Sequence, residues 1–149
     1  MSPEFALVAA LETVPVLQGK ISAMQPKKDA QPPFAFYIPS ADSEEQALDN
    51  PSGLQSFQAA LHLVAGSHRH LQLISALSKQ AVLDMRGYVY RTPAEDEAAG
   101  LKGSVLIENS ETEQSSPDLY ENEVGLYRRI YTVRLDFQTV EVYDEEVSG

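Results

Sequence analysis

The sequence predicts an α+β fold, an antiparallel sheet with two helices packed on one of its faces. Two observations carry this. Two stretches have helical apolar spacing with matching start and stop residues, and between and after them several stretches alternate apolar and polar residues as strands do. The order is helix, strand, strand, strand, helix, strand, strand, and strands in direct succession favour antiparallel pairing.

The first helix begins at the N-terminus. Ser2 is placed to cap it, Pro3 suits its first position, and Glu4 complements the positive end of the helix dipole. Phe5, Leu7, Val8, Leu11 and Val14 supply a broad apolar face, and Pro15 ends it by pushing the preceding residue out of the α region. Residues 17–25 read as a short strand carrying Ile21 and Ala23, and residues 26–33 as a proline-bounded loop. Residues 34–38 alternate strongly, with Phe34, Phe36 and Ile38 on one face. Residues 40–53 form an acidic loop ending in the turn residues Asn50-Pro51-Ser52-Gly53. A long strand then carries Phe57, Ala59, Leu61, Leu63 and Ala65.

Ser67 caps the second helix, which runs to about Arg86. Leu71, Ile74, Leu77, Ala81 and Met85 line its apolar side, Leu73 widens it, and Gly87 terminates it. A weak strand at 88–91 precedes a loop with Pro93, and 104–108 reads as a short strand before a polar loop tip at 109–118. The clearest strand signal comes last. Tyr127, Arg129, Tyr131, Val133, Leu135 and Phe137 alternate with Arg128, Thr132, Arg134, Asp136 and Gln138, so one face is buried and the other wet. The reading is one domain over 1–149, frayed from about 144.

The chain has 149 residues, 43% hydrophobic, with no Cys or Trp and a formal net charge of −11. Without cysteine there is no disulfide, thiolate catalysis or cysteine-bound zinc, which fits a reducing compartment. No apolar run approaches the roughly 20 residues that span a bilayer, and no basic region followed by an apolar stretch marks a signal peptide. The acids cluster at 42–49, 95–97, 108–123 and 144–146, while 30–67 and 104–126 contain neither Lys nor Arg. Binding nucleic acid through its phosphates needs a basic stripe, and none is present; acidic clusters repel DNA or meet basic partners.

The inventory of chemistry is short. His68 and His70 are two apart at a helix start and diverge, so they hold no metal without a third ligand from elsewhere. His62 lies opposite Leu61 and Leu63 on its strand, where an exposed or interfacial imidazole is expected. The carboxylates sit in polar loops, where water keeps them ordinary, and no Walker loop, G-x-G-x-x-G or G-x-S-x-G occurs. Arg128, Arg129 and Arg134 are better suited to cross-strand pairing with carboxylates than to a phosphate. No catalytic residue, cofactor or metal is expected. The long loops at 40–53 and 109–118 remain, as loops of that size are functional or disordered. Glu44, Glu45 and Leu48 in the first, and Leu119 and Tyr120 after the second, are the candidate interface residues.

The opening helix at 3–13, the segment Pro32-Pro33-Phe34-Ala35-Phe36-Tyr37-Ile38, the strand 58–64 running into the helix 68–86, and the final strand with Arg128, Arg134, Asp136 and Phe137 carry a resemblance over nearly the full length. The pattern resembles the tail-completion, or tail-terminator, proteins of long-tailed bacteriophages and prophages. The resemblance implies a homo-oligomeric ring, commonly hexameric, that ends the tail tube and joins the head-completion protein. DNA would pass only as cargo, with no membrane partner, in the bacterial host cytoplasm and then in the virion tail. The alternative reading is an acidic binder of basic proteins, or a nucleic-acid mimic, acting as monomer or dimer.

Overall fold

The computed structural model describes residues 3–40, 54–99 and 103–140. The acidic loop with Glu44, Glu45 and Leu48, the cap residue Ser2 and the tail from 144 all lie outside them. The elements are α1 (Glu4–Leu11), β1 (Ile21–Ala23), β2 (Phe34–Pro39), β3 (Gln55–Ala65), α2 (His68–Leu83), β4 (Val89–Arg91), α3 (Ala94–Ala98), β5 (Ser104–Gln114), β6 (Leu119–Glu121) and β7 (Leu126–Val140).

Among the described residues the strands form one seven-stranded sheet, ordered β1-β2-β3-β7-β5-β4, with β6 also paired to β7. The α+β architecture, its mostly antiparallel sheet and the two helices on one face are as the sequence predicts. One pairing departs from expectation: β1 runs parallel to β2. The chain between them is long enough, from 24 to 33, to carry it back to the same end.

β7 is central because its alternation is the most complete. On one side it pairs with β3 throughout, placing Phe57 opposite Leu135, Ala59 opposite Val133 and Leu61 opposite Tyr131. These side chains face the helices and are nearly fully buried with Leu7, Leu11, Leu71, Ile74 and Met85. Each such side chain contributes about 1.5–3 kcal/mol by leaving water. On its other side β7 pairs with β6 near its start and β5 further on.

Four local expectations change. α1 starts one residue later, with Pro3 in the capping position, and stops at Leu11; a 3-10 turn at Pro15–Leu17 follows. On α2, Ser67 caps as expected by accepting the His70 N–H at 3.2 Å, but the buried side is Leu71, Ile74, Ser75, Ser78 and Val82. Leu73 and Leu77 are exposed. The loop expected after Pro93 contains α3. Residues 109–114, expected in a loop, extend β5 past a bulge between Ile107 and Asn109. Glu111, Thr112 and Glu113 carry no apolar signal, yet their backbone pairs with β7 opposite Arg134, Val133 and Thr132.

Gly87 leaves α2 at φ +84°, a conformation that only glycine adopts readily. Its N–H donates to the Ile107 carbonyl at 2.7 Å, and the Ser110 hydroxyl donates to the Val82 carbonyl at 2.6 Å. The end of α2 is thereby fixed to β5.

Candidate functional site

Among the described residues the hairpin of β6 and β7 brings together the densest set of charged contacts. Gly125 at φ +66° closes its turn, with the Gly125 N–H donating to the Glu121 carbonyl at 2.8 Å. Arg128 and Arg129 are successive residues on β7, so they leave opposite faces of the strand. Arg128 pairs with Glu121 on the back of the sheet. Arg129 forks onto Asp118 on the front, Nε to Oδ1 at 2.8 Å and Nη2 to Oδ2 at 2.7 Å.

Asp118 is a hub rather than a solvated loop acid. Gln114 Nε2 donates to it at 3.1 Å, and His68 Nε2 at the start of α2 lies 3.5 Å away. The hydrogen bonds from Arg129 hold its carboxyl below the usual carboxylate range, against a smaller opposing effect of burial. The bidentate geometry makes this a strong pair. Tyr127 joins the same group, 4.6 Å from Tyr120 and 6.1 Å from His68 between ring centroids.

A braced hairpin of this kind holds its apolar residues in fixed positions. Leu119, Tyr120 and Val124 are 44%, 51% and 60% exposed on it. Of the residues expected at an interface, the structure therefore brings Leu119 and Tyr120 together on one tip, as neighbours on opposite faces of β6. Glu44, Glu45 and Leu48 fall outside the described residues. No sequence signal pairs Asp118 with Arg129, because only the β6–β7 register places them in contact.

The back of the sheet carries a second apolar cluster of Phe34, Phe36 and Val64 with Ala30, Ile38 and Leu126. The expected Phe34–Phe36–Ile38 face is thus present but turned away from the main core, to which Ala35 and Tyr37 contribute instead. His62 stacks on Phe36 at 4.5 Å and 15°, and the Arg128 guanidinium lies 5.8 Å from the Phe36 ring centre. Burial, then the Arg128 charge, lowers the His62 pKa below its ordinary value. This imidazole is half-buried rather than exposed, and its Nδ1 has no hydrogen-bond partner among the described residues.

A cleft of about 840 Å³ runs along α2 and the outer half of β5, lined by Lys79, Leu83, Arg86, Ser110, Thr112 and Arg134 among others. Register puts Ser110 and Thr112 on the helix face but Arg134 on the back, so the hollow wraps the edge of β5. Its lining reaches Gln58 on β3 and Thr132 on β7 as well. Among the described residues no three His, Asp or Glu side chains gather to hold a metal. None of the described helices is long and apolar enough to cross a membrane.

The fold and site define a class: an α+β domain with an open sheet, helices on one face and a rigid apolar hairpin tip. No protein-family model and no curated protein matches this chain.

Proposed function

We propose that this chain is a structural assembly subunit that closes a ring on the end of a phage tail tube and joins it to the head-completion protein. The observation that carries the reading is the braced hairpin. Two arginine–carboxylate pairs, one on each face, hold Leu119, Tyr120 and Val124 out in solvent. Apolar side chains presented on a rigid element suit a docking surface, since little conformational freedom is lost when they are covered. The resemblance of the element order to tail-completion proteins supplies the tail. The net charge of −11 suits a ring through which DNA must slide without sticking.

The test is light scattering behind a sizing column on the purified chain, alone and with tail tubes. A concentration-dependent cyclic oligomer that caps tubes is expected. A monomer at all concentrations that ignores tubes would overturn the reading.

A further inference from the structure

The strand order places the two ends of the sheet far apart and gives them different chemistry. Six strands lie along the path from β1 to β4, so its outermost strands are about 24 Å apart at the usual strand spacing. That exceeds the roughly 8–10 Å over which exposed charges interact in physiological salt. The two edges therefore do not neutralise each other within one molecule.

At the β1 edge the Lys20 carbonyl accepts from the Ala35 N–H, and the Met24 N–H donates to the Tyr37 carbonyl. The alternation of a ladder then turns the amide groups of Ile21 and the N–H of Ala23 outward, while the Ala23 carbonyl accepts from the Gln25 N–H at 2.8 Å. Met24 is 61% exposed beside them. Lys20 and Lys27 donate to the neutral carbonyls of Gln31 and Gly19, and Lys28 is exposed. None of the three is ion-paired with a described carboxylate. Asp29, in the same turn, and Glu12, bonded to the Gly19 N–H, offset part of this charge and leave a positive excess among the described residues.

The opposite edge is β4 with the outer half of β5. Tyr88 and Val89 are exposed there. The Arg86 guanidinium covers the outward Ser110 carbonyl, so the same alternation turns Thr112 and Gln114 outward. Glu108, Glu111 and Glu113 lie along this strand; among the described residues Glu108 and Glu111 accept from the amides of Gln138 and Asn109. Of the cations nearby, Arg86 is held on Ser110, Arg91 of β4 pairs with Glu97, Arg134 pairs with Asp136 and Lys79 lies over the Tyr131 ring. Arg134, opposite Glu111 on the ladder, offsets part of the acidic charge and leaves a negative excess among the described residues.

We infer that the β1 edge of one copy docks on the β4–β5 edge of the next, joining the sheets head to tail through Lys20, Lys27 and Lys28 against Glu108, Glu111 and Glu113. This rests on the proposed assembly role and names its subunit contact. The occupant is a second copy because each edge supplies what the other lacks. Both have outward backbone groups, an exposed apolar residue and opposite unpaired charge. Unlike edges make a heterologous contact, which closes into a ring when the rotation allows.

Two triple swaps test it, Lys20→Glu/Lys27→Glu/Lys28→Glu and Glu108→Lys/Glu111→Lys/Glu113→Lys. Each gives a molecule with like charge at both edges, and each is expected to weaken self-association about tenfold or more in sedimentation velocity. Mixed one to one, the swapped chains are complementary at every contact and should assemble again, alternating around the ring. Should the lysine triple melt early, Glu108→Gln/Glu111→Gln/Glu113→Gln replaces it, with weaker association and a flatter salt dependence expected. Wild-type assembly that neither swap disturbs would overturn the edge assignment while leaving the tail role standing. Complementation without capping of tail tubes would keep the edges and remove the tail role. A chain that never self-associates, either alone or on tail tubes, would overturn both.

Discussion

On the front of the sheet Leu135, Val133 and Tyr131 lie beneath α1 and α2, whereas on the back Phe36, clustered with Phe34 and Val64, carries the stacked His62 ring and the Arg128 guanidinium. The front is sealed mainly by apolar side chains, with the buried hydroxyls of Ser75, Ser78 and Ser110 among them. The back is sealed partly by groups that titrate or carry charge, and neither α1 nor α2 covers it. The hairpin extends this contrast, with Arg128 bracing it on the back and Arg129 on the front. β7 contributes to all three, and a substitution in each region separates the front core, the brace and the back.

Leu135→Asp should have the largest effect. Leu135 is fully buried opposite Phe57 and Ser110, and a carboxylate there would sit within the apolar core. A loss above about 3 kcal/mol is expected, enough to unfold a domain of ordinary stability. Urea unfolding followed by circular dichroism reads it. A cooperative transition near the wild-type midpoint would show the register of β7 to be wrong.

Next comes Asp118→Asn, which leaves the fork of Arg129 without its anion. About 1–3 kcal/mol is expected near neutral pH. The folded carboxyl titrates below its ordinary value, so its contribution is complete above the unfolded carboxylate pKa and disappears as pH falls through the folded one. The variant and the wild type should therefore converge in strong acid. A gap that persists well below the folded pKa would mean that the carboxylate charge is not what braces the hairpin.

A smaller effect is expected of His62→Phe, and in a different pH window. His62 titrates below its ordinary 6.5 when folded, so the unfolded chain takes up its proton first. Stability is complete above the unfolded pKa and falls as pH drops toward the folded one. A phenyl ring at this position keeps the stack on Phe36 and cannot take up a proton. The variant should therefore lose the slope of stability against pH that the wild type shows on the acid side of neutrality, while matching it more closely above. Equal slopes for the two chains in mildly acidic buffer would remove His62 as the source.

These regions differ in how far the sequence announces them. Phe57 to Ala65 and Tyr131 to Phe137 show their faces by alternation, because a half-buried strand leaves that trace. β5 beyond Ile107 leaves none, since an edge segment such as Glu111-Thr112-Glu113 is held by its backbone and not by apolar burial. On α2, hydrophobicity favours Leu73 and Leu77, while packing selects Ser75 and Ser78, whose small side chains fit against neighbouring elements. The paired edges are the least legible. Lys20 and Glu111 become opposite ends of one surface only through the order β1-β2-β3-β7-β5-β4, and no local pattern contains that order.

The smallest effect on stability should come from the hairpin tip, and it is the one that bears most on function. Leu119 and Tyr120 are about half exposed, and the Tyr120 ring meets Tyr127 in a tilted contact at 4.6 Å. Leu119→Ser/Tyr120→Ser should shift unfolding by no more than about 0.5–1 kcal/mol, since little buried area is lost and both arginine braces remain. Yet these side chains are what the braces hold outward, so capping of tail tubes should fall while the melting curve stays. A drop in stability with capping intact would reverse the assignment, making the tip a piece of local packing and leaving the sheet edges to carry the contact.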